Sequence, residues 1–246
     1  VTLYELLHVG LLEYVPFIIL LLALFTISGG VRLTGALVGT PIVNLAIILI
    51  GTLLASWMGT TGAAMLLIRP LINANKHRKN IVHIIVFFIF LVANIGGSLT
   101  PLGDPPLFLG FLKGVDFFWT TTAMFVPMLI MIIALSIIFY FLDSYYLKKE
   151  DIKIEAPQGK LKLGIEGVFN LGLIVGVIGA VLISGFWKPH ISFEVYSGVH
   201  LELQNLTRDI LLLILTYISW TYTPQQIRKD NEYTWFPIIE VAKLFA

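Results

Sequence analysis

The sequence predicts an all-α integral membrane protein, a polytopic helical bundle with a re-entrant helical hairpin and a broken transmembrane helix. Three observations carry this expectation. Hydrophobic residues fill 57% of the 246 positions and charged residues 13%, with a mean hydropathy of +0.90, far more apolar than an average soluble domain. Two runs of glycine, threonine and proline interrupt apolar stretches, at 58–62 and 94–106. On the topology that these breaks imply, eleven lysines and arginines fall on one side and three on the other, the positive-inside asymmetry.

Taken in order, Pro16 to Ser28 is apolar and with its flank from Leu11 reaches the roughly 17 to 20 residues a spanning helix needs. Gly29 to Gly35 reads as a turn. Pro41 to Trp57 is a second apolar helix that breaks at Met58-Gly59-Thr60-Thr61-Gly62 and resumes as Ala63 to Ile72, which gives a hairpin over 41–72. Treating 41–72 as one full span would place Arg32 opposite the lysine-rich loop, so charge favours the hairpin. Residues 81–112 then cross once with a break in the middle, Trp119 to Leu142 crosses back, Ile165 to Phe186 crosses again, and Ile210 to Tyr222 returns.

This divides the chain into a first repeat (1–150), a polar cytoplasmic linker (151–163) and connecting spans that lead toward a second repeat (164–246). Trp187 to Asp209 reads as a surface loop on the outer side. The run Trp235 to Ala246 reads as an amphipathic lead-in, and the chain is expected to be the first half of an inverted-repeat transporter that does not transport alone. A formal net charge of +1 gives no reason to expect nucleic acid, and zero cysteines exclude disulfides and thiolate metal sites. Residues 1–15 carry Glu5 and Glu13 and have no basic n-region, so they do not read as a signal peptide.

The second break, Asn94-Ile95-Gly96-Gly97-Ser98-Leu99-Thr100-Pro101-Leu102-Gly103-Asp104-Pro105-Pro106, cannot be continuous helix, because each interior proline removes a hydrogen bond and clashes with the preceding turn. At membrane depth such backbone survives only buried in protein or lining a cavity. Paired breaks expose half-helix ends and free carbonyls, the means by which secondary transporters hold a cation and an anion. Thr60, Thr61, Asn94, Ser98 and Thr100 offer neutral oxygens suited to a hard cation such as sodium. Asp104 is the one acidic residue inside a broken segment, so it either faces a cavity, pairs, carries a proton, or caps a helix near water. Arg69 is a counter-charge candidate that could equally snorkel, His77 and His83 read as solvated or interfacial, and Glu166, Asn170 and Glu240 carry little functional signal.

An intramembrane aspartyl protease is a remote alternative, suggested by Pro101-Leu102-Gly103-Asp104. That chemistry requires a second carboxylate, and Asp143 and Asp209 sit at span ends. No nucleophile elbow, phosphate-binding loop or metal-ligand helix motif occurs in the spans, so the chain is not expected to be an enzyme.

At its two breaks the chain resembles the ion transporter superfamily of divalent anion/sodium symporters, citrate transporters, arsenite pump membrane subunits and D-type sodium/proton antiporters. Residues 58–65 look like the hairpin-tip element, and residues 94–106 look like the broken-helix element; the likeness covers roughly residues 16 to 142. Gly59-Thr60-Thr61 stands where the symporters have Ser-Asn-Thr, and Asp104 stands where they have an uncharged residue. The resemblance implies an ion or substrate site of Thr60, Thr61, Asn94, Gly96, Gly97, Ser98, Thr100, Gly103 and Asp104. Sodium would be held by Thr60, Thr61, Asn94, Ser98 and Asp104. The expected activity is ion-coupled secondary transport in the bacterial inner membrane, sodium/proton antiport first and citrate or other anion transport second. The expected partners are small ions and the lipid bilayer, with no further cofactor; a homodimer stays open.

Overall fold

The computed structural model describes residues 2–35, 37–150, 164–196 and 198–245; the expected linker 151–163 lies outside them. Helix α1 (Thr2–Val9) runs through a π-helical turn at Gly10–Tyr14 into α2 (Val15–Ser28), a candidate span of 26 residues from Leu3. Strand β1 (Arg32–Thr34) follows. Thr40 starts α3 (Pro41–Met58): its hydroxyl accepts the Val43 N–H at 3.3 Å, and Pro41 sits in the first turn, where its missing N–H costs nothing. Gly59 ends it at φ +79°, a left-handed conformation that favours glycine, and α4 (Thr60–Ala74) begins at once.

The two arms finish where they started. Gly39 donates to the Ala74 carbonyl at 2.8 Å, and the Asn44 and Asn75 side chains exchange hydrogen bonds at 3.0 and 2.7 Å. Next comes α5 (Val82–Phe88), which loosens into a π-helix at Ile89–Asn94 and tightens into a 3₁₀ turn at Ile95–Leu99. Helix α6 (Pro105–Leu112) resumes after an irregular stretch. The irregular backbone is therefore narrower than the thirteen residues expected, because glycines 96 and 97 are absorbed into the 3₁₀ turn.

Helix α7 (Trp119–Glu150) is 32 residues long and presents an exposed apolar face that includes Phe125, Leu129, Ile133 and Ile137, as a helix facing lipid does. After β2 (Gly164–Glu166) come α8 (Phe169–Phe186), β3 (Ser192–Tyr196), β4 (Val199–Glu202), α9 (Leu203–Tyr222), α10 (Gln225–Asp230) and α11 (Phe236–Phe245). Among the described residues five helices are long and apolar enough to cross a membrane; α9, which carries Arg208 and Asp209, falls outside that set. The protein is a polytopic helical membrane protein with two small additions that the sequence reading lacked. β1 pairs antiparallel with β2, Arg32 opposite Glu166, where a bare turn was expected. β3 and β4 form a ribbon within the expected outer loop.

The later helices dock by satisfying the frayed end of α2. Arg228 Nη1 donates to the Thr26 carbonyl at 2.6 Å, Asn170 Nδ2 to Gly30 at 3.0 Å, and Asn231 Nδ2 to Gly29 and Val31 at 3.0 and 2.8 Å. A helix end inside apolar surroundings must find such partners. Asn170, which carried little signal in the sequence, thus has a structural role.

At the open end of the hairpin lies a buried charged cluster. Arg78 Nη1 stands 2.5 Å from Asp143 Oδ1, His83 Nε2 bonds the same oxygen at 2.8 Å, and Asn44 Nδ2 donates to Oδ2 at 2.9 Å. Asp143 is 0% exposed. Of the two readings of His83, solvated or interfacial, the first is corrected: it is partly buried and stacks on Tyr146. Helix α7 runs on for two more turns past Asp143 to Glu150.

Two variants test the ends of the hairpin. Arg78→Met leaves a buried carboxylate without its cation and is expected to cost about 3–5 kcal/mol, whereas Arg32→Ala, which removes a partly exposed pair with Asp230, is expected to cost under about 1 kcal/mol; thermal melting in detergent separates the two. At the tip, a Cβ on Gly103 would lie 2.1 Å from the Gly97 carbonyl oxygen, while one on Gly179 meets nothing within 4 Å. Gly103→Ala is expected to lower stability by about 1–3 kcal/mol and Gly179→Ala to leave the melting temperature unchanged.

Candidate functional site

The hairpin tip and the broken helix meet backbone to backbone. The Thr60 N–H donates to the Gly103 carbonyl at 3.3 Å, and Gly97 approaches Gly103 so closely that neither could carry a side chain. The carbonyls released by the breaks are taken by hydroxyls. Ser56 donates to the Gly96 carbonyl, Thr100 to Ser56, Thr120 and Thr121 to Leu99 at 3.0 and 2.6 Å, and Ser28 to Met58 at 3.3 Å.

Beside this crossing is a cavity of about 90 Å³, lined by Thr60, Thr61, Gly62, Gly103 and Asp104 and walled by apolar residues of α2, α6 and α11. Helix α4 points its N-terminus here. Among the described residues the N–H groups of Thr61 and Gly62 have no backbone partner, so the half-helix offers donors and a positive dipole end. Asp104 stands at the N-cap of α6 with an exposed side chain. Its side chain makes no capping hydrogen bond, because Pro105 and Pro106 supply no N–H and those of Leu107 and Phe108 go to its own carbonyl at 3.1 and 3.3 Å. The carboxylate therefore stands at the cavity wall without a capping bond.

The expected site residues divide accordingly. Thr60, Thr61, Gly103 and Asp104 line the cavity, and Gly97 forms the crossing behind it. Gly96 packs its Cα against Ala55 and the Thr52 carbonyl, a close approach between helices and not a cavity wall. Asn94 and Ser98 were expected as sodium ligands; instead Asn94 Nδ2 donates to the Ile89 carbonyl of its own π-turn at 2.9 Å, and Ser98 Oγ to Ile95 at 2.9 Å. Thr100, 1% exposed, is committed to Ser56 and to the Leu102 N–H. Arg69 does not counter Asp104: it lies 2.5 Å from Glu232 Oε2 and donates to the Asp230 carbonyl.

The reading missed Ser28, Ser56, Thr120 and Thr121, which hold the crossing together. Their one signal was position, each near the end of an apolar run within reach of a break. As for a protease dyad, Asp143 is bound by Arg78, His83 and Asn44, and Asp209 by Arg208 at 2.8 Å, so neither shares a proton with Asp104.

No curated protein and no solved structure matches the chain. Matched at residues 1–246 by the model of a family described as putative citrate transport, the chain belongs to that family.

Proposed function

We propose that the protein is an ion-coupled secondary transporter of the inner membrane that moves a citrate-like polycarboxylate together with a cation. The observation that carries this is the meeting of opposite attractions in one cavity, the α4 N-terminus and the Asp104 carboxylate. A half-helix N-terminus favours an anion and a free carboxylate favours a cation. An anionic substrate beside Asp104 is repelled unless a cation neutralises one of them, and that requirement is coupling. The cation ligands on this reading are Asp104 with the oxygens of Thr60, Thr61 and Gly103. The family's description supports citrate as the cargo. Sodium/proton exchange remains the second reading, favoured by the uncapped Asp104 carboxylate, which could hold either ion.

The test is uptake of labelled citrate into vesicles carrying the native protein, with and without an inward sodium gradient. Citrate uptake is expected to follow the gradient, and Asp104→Asn to reduce gradient-driven uptake at least tenfold, a loss of about 1.4 kcal/mol or more in transition-state stabilisation. Thr61→Ala is expected mainly to raise the sodium concentration for half-maximal uptake. Proton movement driven by sodium with no citrate present would favour antiport, and an Asp104→Asn variant as active as wild type would remove Asp104 from the mechanism.

A further inference from the structure

The three basic residues of the less basic side, Lys113, Lys188 and Arg208, are far apart in sequence but line one cavity. It lies between the C-terminal ends of α6 and α8, the β3 edge and the start of α9, and has a volume of about 800 Å³. Two carboxylates share its wall, and both are already engaged by the protein. Asp116 Oδ1 accepts the Phe118 N–H at 2.8 Å, and Glu202 Oε2 accepts the Gln204 and Asn205 amides at 2.6 and 3.2 Å.

The groups left over are those that suit a hydroxylated anion. Among the described residues Lys188 has no carboxylate within 4.0 Å. Gln204 is 7% exposed, and because its Nε2 is held by Glu202, the buried atom without a partner is the acceptor Oε1. A buried acceptor without a donor is costly, by about 1–3 kcal/mol, and a ligand hydroxyl would remove that cost. Arg208, 1% exposed, holds Asp209 through Nε, while its Nη2 lies 2.8 Å from the same oxygen without being aimed at it and has no hydrogen-bond partner. Its guanidinium sits 5.6 Å over the Phe108 ring, and Phe108 is also a wall of the tip cavity. The two cavities are thus linked through one contact, Arg208 of the larger on Phe108 of the smaller.

We propose that this cavity is an outer vestibule that captures a hydroxylated polycarboxylate before it enters the tip cavity, with Lys188 and Arg208 binding carboxylates and Gln204 Oε1 accepting the substrate hydroxyl. The proposal rests on the carboxylate reading given above, and its test is separate from the uptake assay. Citrate and propane-1,2,3-tricarboxylate, which lacks only the hydroxyl, are titrated calorimetrically into the purified chain in detergent. Lys188→Gln, at an exposed position, and Gln204→Leu are each expected to raise the citrate dissociation constant roughly tenfold. Wild type is expected to prefer citrate over its deoxy analogue, and Gln204→Leu to bind the two alike. Melting temperatures equal to wild type show that the variants are folded.

Unchanged citrate binding in both variants, no tricarboxylate binding by wild type, or equal affinity of wild type for the two anions overturns the vestibule. Sodium-driven citrate uptake persisting beside unchanged binding removes the vestibule and keeps the transport reading. Weakened binding in the variants with no citrate uptake by wild type keeps the vestibule and removes the transport reading.

Discussion

The structure depends on one constraint: backbone broken inside an apolar bundle must find hydrogen-bond partners within the protein. An unpaired peptide group in hydrocarbon costs several kcal/mol, so two isolated breaks would be prohibitive. Here each break supplies what the other lacks. The Thr60 N–H takes the Gly103 carbonyl, and the hydroxyls of Ser56 and Thr100 link the hairpin to the broken helix in both directions. The remaining released carbonyls go to Ser28, Thr120 and Thr121 from neighbouring helices. This solution demands close approach, which is why Gly97 and Gly103 stand at the crossing and why Gly96 packs directly on α3.

The same constraint explains why the cavity is polar where it is. Most groups at the crossing are paired, so the few unpaired ones stand out: the first N–H groups of α4 and the Asp104 carboxylate. Two prolines deny Asp104 the usual use of an N-cap aspartate, and the sequence Gly-Asp-Pro-Pro is thereby a device for keeping a carboxylate unengaged. At the far end of the hairpin the logic is reversed. Asp143 is surrounded by Arg78, His83 and Asn44, so that charge is consumed locally and fixes where the arms and α7 come together. One carboxylate is held by the fold, and the other has no capping bond within it.

What was legible in the sequence follows from this division. Glycine and proline act through their own backbone, so the positions of both breaks could be read locally, and Gly59 with its positive φ lies where the hairpin tip was expected. The basic asymmetry reports on loops, and contacts among distant basic-side segments, Arg32 with Asp230 and Arg78 with Asp143, gather those segments at one end. Serine and threonine roles were not legible. Thr60, Thr61 and Thr100 are the same residue in the same kind of segment, yet the first two line the cavity and the third is bound to the Ser56 carbonyl, a difference set by which neighbour lies opposite. Asn94 and Ser98 likewise bond to their own turns and are not among the residues lining the tip cavity, a placing that their residue types alone do not reveal. His83 and Asp143 looked peripheral because their separation of sixty positions conceals a contact that only the antiparallel course of α5 and α7 creates.

The two cavities differ in size and equipment. The tip cavity is small and narrowly equipped, at about 90 Å³, while the larger one is about 800 Å³ and carries the basic residues of its side. The wall of the larger cavity carries both signs, with Lys113 paired to Glu13 and Arg208 to Asp209 and with Asp116 and Glu202 alongside, so any attraction for an anion there is local to Lys188 and the unpartnered Nη2 of Arg208. If the larger cavity is the proposed vestibule, tight binding there would be counterproductive, because every interaction made in it would have to be broken before the substrate reached Asp104 and Thr60. The geometry respects that limit: Lys188 is exposed and Arg208 shares its charge with Asp209, so attraction is local and weak, and the one specific feature is the single unpaired acceptor of Gln204. On the proposed reading, selection by a hydroxyl at the entrance and neutralisation of charge at the tip would be separate tasks carried by different residues, with Phe108 of the tip-cavity wall packed under the Arg208 guanidinium.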